Sequence, residues 1–298
     1  MRLRLGGLAF GGVDRYRPAP MKLSVLLIAT VACPAATLSA NAAVGDWVAA
    51  DHMQLRLVAT PSGDGRLEGV IEIALDPGWH TYWRSPGDAG IGPRFDFAGS
   101  ENLGEVAVRF PAPERYDDGF STSNVYHNAV SLPFEAAMPE ASRAVSLQFA
   151  ADLGVCEKIC LPVRVTAALD VPAGSPDPEA AALVSAARAA LPGPAESGVF
   201  AVETVSRVGG TDAVPEYEVT VSTPRIEGTE LFVEPPAHWY PSPPTLAGTK
   251  DGKALFRFTA DCATAKGSPA DAAFRFTIVI EGRAVEQIVP LGSTAAAP

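Results

Sequence analysis

Met53-Gln-Leu-Arg-Leu-Val58, Ser62-Gly-Asp-Gly65 and Gly69-Val-Ile-Glu-Ile-Ala-Leu75 follow one another closely in this 298-residue chain. The first run alternates apolar and polar residues, the last does so more loosely, and the middle one is a cluster of turn formers. Side chains on a strand project to opposite faces in turn, so such alternation buries one face and wets the other. The three pieces read as strand, turn and strand.

The pattern continues outward. Val106-Ala-Val-Arg-Phe110, Val130-Ser-Leu-Pro-Phe134, Val145-Ser-Leu-Gln-Phe149 and Val163-Arg-Val-Thr-Ala167 are further short β-rich runs, with punctuation such as Asp76-Pro-Gly78 in the gaps. Short strands at this spacing predict an antiparallel sandwich. Ser175-Pro-Asp-Pro178 then opens a helix, with Asp177 as N-cap and Pro178 at the first helical position. The helix should run to about Ala190 and stop at Leu191-Pro-Gly-Pro194. A second β-rich segment follows, with Tyr217–Val221, Glu230–Val233, Ala254–Thr259, Phe274–Ile280 and Val285–Val289 as strands. Its length, about ninety residues, suits one immunoglobulin-like sandwich. The expected fold is all-β: two immunoglobulin-like antiparallel sandwiches at 43–172 and 199–293, a helical linker at 173–198, and a disordered tail at 294–298.

Composition agrees with a folded, loop-rich chain. Hydrophobic residues make up 47%, enough for a core, and 27 Pro with 27 Gly favour many strands over a helical bundle. Lys22, the apolar run Leu23–Leu38 and Ala40-Asn41-Ala42 have the order of a secretory signal peptide, with cleavage near Ala42. Met21 reads as the natural start and residues 1–20 as an upstream extension. Thr30 and Pro34 around Cys33 argue against lipidation, and the apolar run falls short of the roughly 20 residues a spanning helix needs. Without residues 1–42 the chain has 18 basic residues (23 less five) and 33 acidic (34 less one), a formal charge of −15. That balance argues against nucleic acid or anionic lipid as partners, and no direct membrane insertion is expected.

Candidate chemistry centres on Leu153-Gly-Val-Cys156-Glu-Lys-Ile-Cys160-Leu-Pro162, which holds the only two neighbouring cysteines. A disulfide needs Cα atoms about 4.4–6.8 Å apart, whereas an extended strand puts residues four apart at roughly 13 Å. The chain must turn between these cysteines, or they bond elsewhere. So small a loop removes little chain entropy when closed, so a purely structural staple gains little. Exchange chemistry, a static disulfide and a metal site all remain open, and Cu(I) is the metal that soft thiolates suit. Lys158 favours a thiolate and Glu157 opposes it.

Trp79-His-Thr-Tyr-Trp-Arg-Ser-Pro86 reads first as a strand whose aromatics pack inward. Tyr116-Asp-Asp-Gly-Phe120 reads as a surface turn, on which an apolar ring is unexpected. His52, His80, His127 and His238 show no zinc-site spacing, although His80 or His127 could add a donor to a copper site. Cys262 has no sequence neighbour to pair with and reads as a free thiol.

In their order, Pro77-Gly-Trp-His-Thr-Tyr-Trp83, Asp118-Gly-Phe120, Val125-Tyr126, Leu132-Pro133 and the cysteine segment resemble the amino-terminal periplasmic domain of the DsbD family. They are more similar still to its ScsB-type members. The likeness spans roughly residues 45–172, with a weaker one for the second β segment. It implies a periplasmic protein-disulfide reductase component in which Cys156 and Cys160 are the redox pair and Cys160 forms the mixed disulfide. It also implies that Asp118, Gly119 and Phe120 form a cap over the disulfide, with Tyr82 and Tyr126 near the sulfurs. No cofactor beyond the disulfide is implied. The cysteine spacing is tighter than in DsbD, so the local turn must differ. The family's eight-helix membrane conductor and thioredoxin-like domain are not expected within this chain. A separate membrane thiol reductase is therefore the expected electron donor, and periplasmic thioredoxin-like or disulfide-bonded proteins are the expected acceptors. Cytochrome c maturation and copper tolerance are the processes the likeness suggests.

Overall fold

Short alternating strands can bury their apolar faces against a second sheet, and the computed structural model shows two such pairings in succession. It describes residues 43–264 and 272–291; the upstream extension, signal peptide and tail lie outside these.

The first sandwich contains β1 (Val48–Ala50), β2 (Met53–Ser62), β3 (Arg66–Leu75), β4 (His80–Gly87), β5 (Arg94–Asp96) and β6 (Val106–Val108). It continues with β7 (Glu114–Asp117), β8 (Thr122–His127), β9 (Ala129–Ala137), β10 (Val145–Cys156) and β11 (Cys160–Val171). One sheet has the order β1-β2-β3-β9-β6, and the other β11-β10-β4-β8-β7 with β5 also on β10. Leu55, Leu57, Ile71, Ile73, Leu132 and Phe134 from one sheet meet Trp83, Leu147, Phe149 and Leu153 from the other. Gly69 is needed where β3 crosses β9, because a side chain there would enter the Phe134 ring.

The runs expected at Val145–Phe149 and Val163–Ala167 belong to much longer strands. They extend as one hairpin to the cysteines because Leu153 and Val155 also bury into the core.

The helix α1 (Pro178–Ala189) starts as expected, with the Asp177 carboxylate accepting the Ala180 N–H at 2.9 Å. It is docked, however, rather than a free linker. Ala180, Val184 and Ala187 cover Val58 and Val70 on the outer face of the first sandwich, and the Asp177 N–H donates to Thr60 Oγ1. Apolar side chains on both faces of β2 and β3 require such a cover.

The second sandwich comprises β12 (Gly193–Pro194), β13 (Ala201–Gly210), β14 (Pro215–Ser222), β15 (Glu230–Glu234) and β16 (Tyr240–Pro241). It continues with β17 (Thr245–Lys250), β18 (Lys253–Asp261), β19 (Ala273–Ile280) and β20 (Arg283–Pro290). Its sheets run β12-β20-β19-β15 and β13-β14-β18-β16, with β17 on β18. All five strands expected in this segment are present, around Phe256, Phe258, Phe274 and Phe276. The all-β, immunoglobulin-like class holds for both sandwiches.

Candidate functional site

β10 and β11 pair without a break from Val145↔Val171 to Cys156↔Cys160, leaving only Glu157-Lys158-Ile159 to turn the chain. The turn is closed by the Glu157 N–H donating to the Ile159 carbonyl at 3.2 Å. It brings the cysteine Cα atoms to 4.2 Å, and the two residues are joined as a disulfide. Cys156 is 1% exposed, whereas Cys160 is open to solvent. A thiolate arriving from outside therefore has one sulfur to reach.

β4 lies beside β10 and supplies the environment of that bond, with Thr81 opposite Val155 and His80 opposite Cys156. The Thr81 hydroxyl donates to the Gly154 carbonyl at 2.9 Å, fastening the two strands next to the sulfurs. The Tyr82 hydroxyl lies 3.1 Å from Cys156 Sγ and 3.3 Å from Cys160 Sγ. A disulfide sulfur can only accept, so the phenol donates. Burial, then the charge of Asp118, then Tyr116 push the Tyr82 pKa above its ordinary value, so it keeps that proton at neutral pH. Its ring is seated between two glycines. A Cβ at Gly90 would come 2.5 Å from Tyr82 Cδ1, and one at Gly154 would come 3.0 Å from the other edge.

His80 is 4% exposed, and its ring meets Tyr116, Tyr82 and His127 at centroid distances of 4.8, 5.5 and 5.6 Å. Burial lowers its pKa, His127 adds to that and Asp118 opposes it, leaving a neutral imidazole beside Cys156. His127 reaches outward to Glu114 at 3.0 Å. Among the described residues no three or more His, Cys, Asp or Glu gather as a metal site. Cys262 is buried and unpaired, its thiol directed at the Asp212 carbonyl.

Two expected members of the site stand elsewhere. Tyr126 points to the opposite face of β8 from Val125, into the sandwich core, and its hydroxyl donates to the Pro111 carbonyl at 2.7 Å. The period of two along β8 puts Val125, not Tyr126, next to Tyr82 and Cys156. Phe120 is 100% exposed, so its ring does not lie over the disulfide. It rides the tip between β7 and β8. There the Asp118 carboxylate accepts the N–H groups of Phe120 and Ser121 at 2.8 Å each, and Asp117 accepts that of Gly119. These bonds hold Asp118 below the usual carboxylate range. Gly119 has φ +85°, a left-handed conformation that suits glycine.

The strands that carry the site are also tied to the second sandwich. Arg84 on β4 forms a two-point pair with Glu234 at 2.7 and 2.5 Å and also reaches Glu286. Burial works against the Arg84 charge, but the two glutamates outweigh it and raise its pKa. Arg115 on β7 donates to the Leu231 carbonyl at 2.7 Å and covers the Phe232 ring at 4.9 Å. It pairs with Glu230 at 3.5 Å, and burial pushes both partners toward their neutral forms, so this is the weaker tie. Trp83 packs edge-on to Phe232 between them. Nothing in the local sequence marks Arg84 or Arg115, because their partners lie far along the chain.

Thiol exchange requires a disulfide sulfur that an attacking thiolate can reach, and exposed Cys160 beside buried Cys156 provides one. On this fold it defines the class of immunoglobulin-like thiol–disulfide interchange domains. The family described as "Thiol:disulfide interchange protein DsbD, N-terminal" matches residues 47–172 of this chain. The crystal structure of the N-terminal periplasmic domain of ScsB from Proteus mirabilis has the same fold. It superposes with a TM-score of 0.66 at 20% identity, over 84% of this chain and 99% of that one. The reduced DsbD N-terminal domain of Neisseria meningitidis covers 43% of this chain and 90% of its own at 15% identity. Its TM-score of 0.27 is too low to argue from. No curated protein matches the chain. Among the described residues no helix is long and apolar enough to cross a membrane.

Proposed function

We propose that this is a periplasmic thiol–disulfide exchange protein that relays reducing equivalents to oxidised proteins through Cys156 and Cys160. The observation that carries the reading is the unequal access of the two sulfurs beneath one phenol. A donor dithiol, such as that of a membrane thiol reductase, attacks Cys160 Sγ, and Cys156 leaves as a thiolate stabilised by the Tyr82 O–H. The donor's second thiol then resolves the mixed disulfide, so the donor is oxidised and the pair reduced by two electrons and two protons. In the forward step the Cys160 thiolate attacks a disulfide of a thioredoxin-like or other oxidised partner. Cys156 then attacks Cys160 Sγ, and the partner departs as a dithiol. Phe120, exposed on its hairpin tip, meets that partner instead of covering the bond.

Reduced protein should convert an oxidised thioredoxin-like protein to its dithiol, and Cys160→Ser should abolish this. Cys156→Ser should instead accumulate the mixed disulfide on Cys160. If both variants reduce the partner as fast as the parent, the proposal fails. Titration of reduced protein with Cu(I) against a chelator separates out the copper reading, which needs affinity beyond that of a variant lacking both cysteines.

A further inference from the structure

Between the sandwiches runs a groove of about 740 Å³, within the range of roughly 300–1,000 Å³ typical of binding clefts. One wall is Gly87 at the end of β4 with Asp88 and Gly90 just after it, and the other is the Trp239–Pro244 stretch of the second sandwich. Gly90 lies against the Tyr82 ring, whose hydroxyl touches both sulfurs. The groove therefore ends one aromatic ring away from the disulfide.

Its charge is one-sided. Arg84 and Arg115 line the floor but are neutralised by Glu234, Glu286 and Glu230. Asp88 and Asp261 also line it; neither forms a direct ion pair among the described residues, although the Asp88 charge is felt by Arg115, so the lining holds more carboxylates than its two guanidinium groups balance. Tyr240 stands 65% exposed on the rim, ahead of Pro241-Ser242-Pro243-Pro244, which limits the conformations of that wall. An exposed ring on a stiff backbone is a preorganised contact, and aromatic faces attract Lys and Arg side chains.

We infer that the inter-sandwich groove docks an extended, Lys/Arg-bearing segment of the redox partner that flanks the partner's cysteine. The inference rests on the exchange reading above. It assigns the second sandwich a role in choosing which disulfide the exposed sulfur meets.

The test uses the reduced chain and two kinds of oxidant. One is 2-hydroxyethyl disulfide, too small to fill the groove. The other is a set of short cysteine peptides, activated as mixed disulfides, with either Lys/Arg or Glu beside the cysteine. The basic peptide should be reduced about tenfold faster than the acidic one at low salt, with the preference shrinking as salt rises. Asp88→Asn with Asp261→Asn should cut that preference to about threefold or less, and Tyr240→Ala should lower it further, with the small disulfide's rate unchanged. The charge-matched control is Asp170→Asn with Asp251→Asn. Asp170 lies at the far end of the β10–β11 hairpin from the cysteines, and Asp251 in the turn at the far end of β18 from Asp261. This control should keep the full preference. Equal rates for the two peptides, or a preference that survives loss of Asp88 and Asp261 or falls equally in the control, overturn the groove. Failure to reduce 2-hydroxyethyl disulfide would instead sink the exchange reading beneath it.

Discussion

Tyr82→Phe removes one oxygen and leaves the ring in its slot between Gly90 and Gly154, so its effect is chemical rather than steric. In the disulfide form the Tyr82 phenol donates to Cys156 Sγ at 3.1 Å, and Cys156 is almost wholly buried, so the same phenol is at hand for the thiolate once the bond opens. Burial alone would push a thiol's pKa up, and the Tyr82 O–H opposes this by stabilising the thiolate. A hydrogen bond to a charged group contributes roughly 1.5–3 kcal/mol, and one pKa unit corresponds to about 1.4 kcal/mol. The variant should therefore destabilise the Cys156 thiolate by roughly 1.5–3 kcal/mol and raise its thiol pKa. Because a more basic thiol leaves less readily, release of Cys156 from the disulfide should slow as well. Ultraviolet thiolate absorbance followed across pH would measure the shift, with Cys262→Ala in both proteins to remove the buried thiol outside the pair. Superimposable titration curves for the parent and the Tyr82→Phe variant, at equal Tm, would refute the phenol's role.

Other perturbations address the frame and the electrostatics. Glu234→Ala strips Arg84 of its two-point partner at a site where both side chains are about one-fifth exposed or less. It should cost about 1–3 kcal/mol in urea unfolding, against under about 1 kcal/mol for Glu218→Ala at the more exposed Arg257 pair. Gly154→Ala places a Cβ 2.8 Å from that of Ile91 and 3.0 Å from the Tyr82 ring. A loss of about 1–3 kcal/mol is expected, with slower exchange, and an unchanged Tm would contradict the packing described. His80 has a folded pKa depressed below its ordinary 6.5, chiefly by burial, with His127, Tyr116, Tyr82 and Asp118 facing it. The unfolded chain binds its proton first, so this contribution to stability is complete above about pH 6.5 and is lost as pH falls through the folded value. Urea midpoints measured from about pH 7.5 down to 5 should drop less steeply for His80→Gln than for the parent; parallel curves would exclude His80 as the source.

The parts of the fold legible in the sequence were those set by local pattern. Alternation placed the strands, and Asp177-Pro178 gave the start of α1, because each signal acts within a few residues. The reach of β10 to Cys156 is hidden in the sequence, since Val155 and Cys156 also pair with Thr81 and His80 of β4, far back in the chain. The docking of α1 was hidden for the same reason: Val58 and Val70 show an apolar surface but not what covers it. At the site the cysteines stand out as residue types, whereas Tyr82 near the sulfurs is implied only by the family likeness. The family likeness implies Tyr126 near the sulfurs, but a single alternation step along β8 turns it to the core and gives the sulfur side to Val125. Phe120 illustrates a different limit, for a loop tip fixed by Asp117 and Asp118 has no periodicity from which a ring's direction can be read.

The β10–β11 ladder reaches Cys156↔Cys160 without a register shift, and only Glu157, Lys158 and Ile159 lie inside the disulfide-closed loop. Opening the bond frees almost no chain, because the same hairpin already holds those ends together. The molecule should thus have one silhouette in both oxidation states. Scattering, mobility or far-ultraviolet dichroism would not tell the charged carrier from the spent one. A partner must read the difference at atomic range, from a thiolate beside Tyr82 where a neutral sulfur had been.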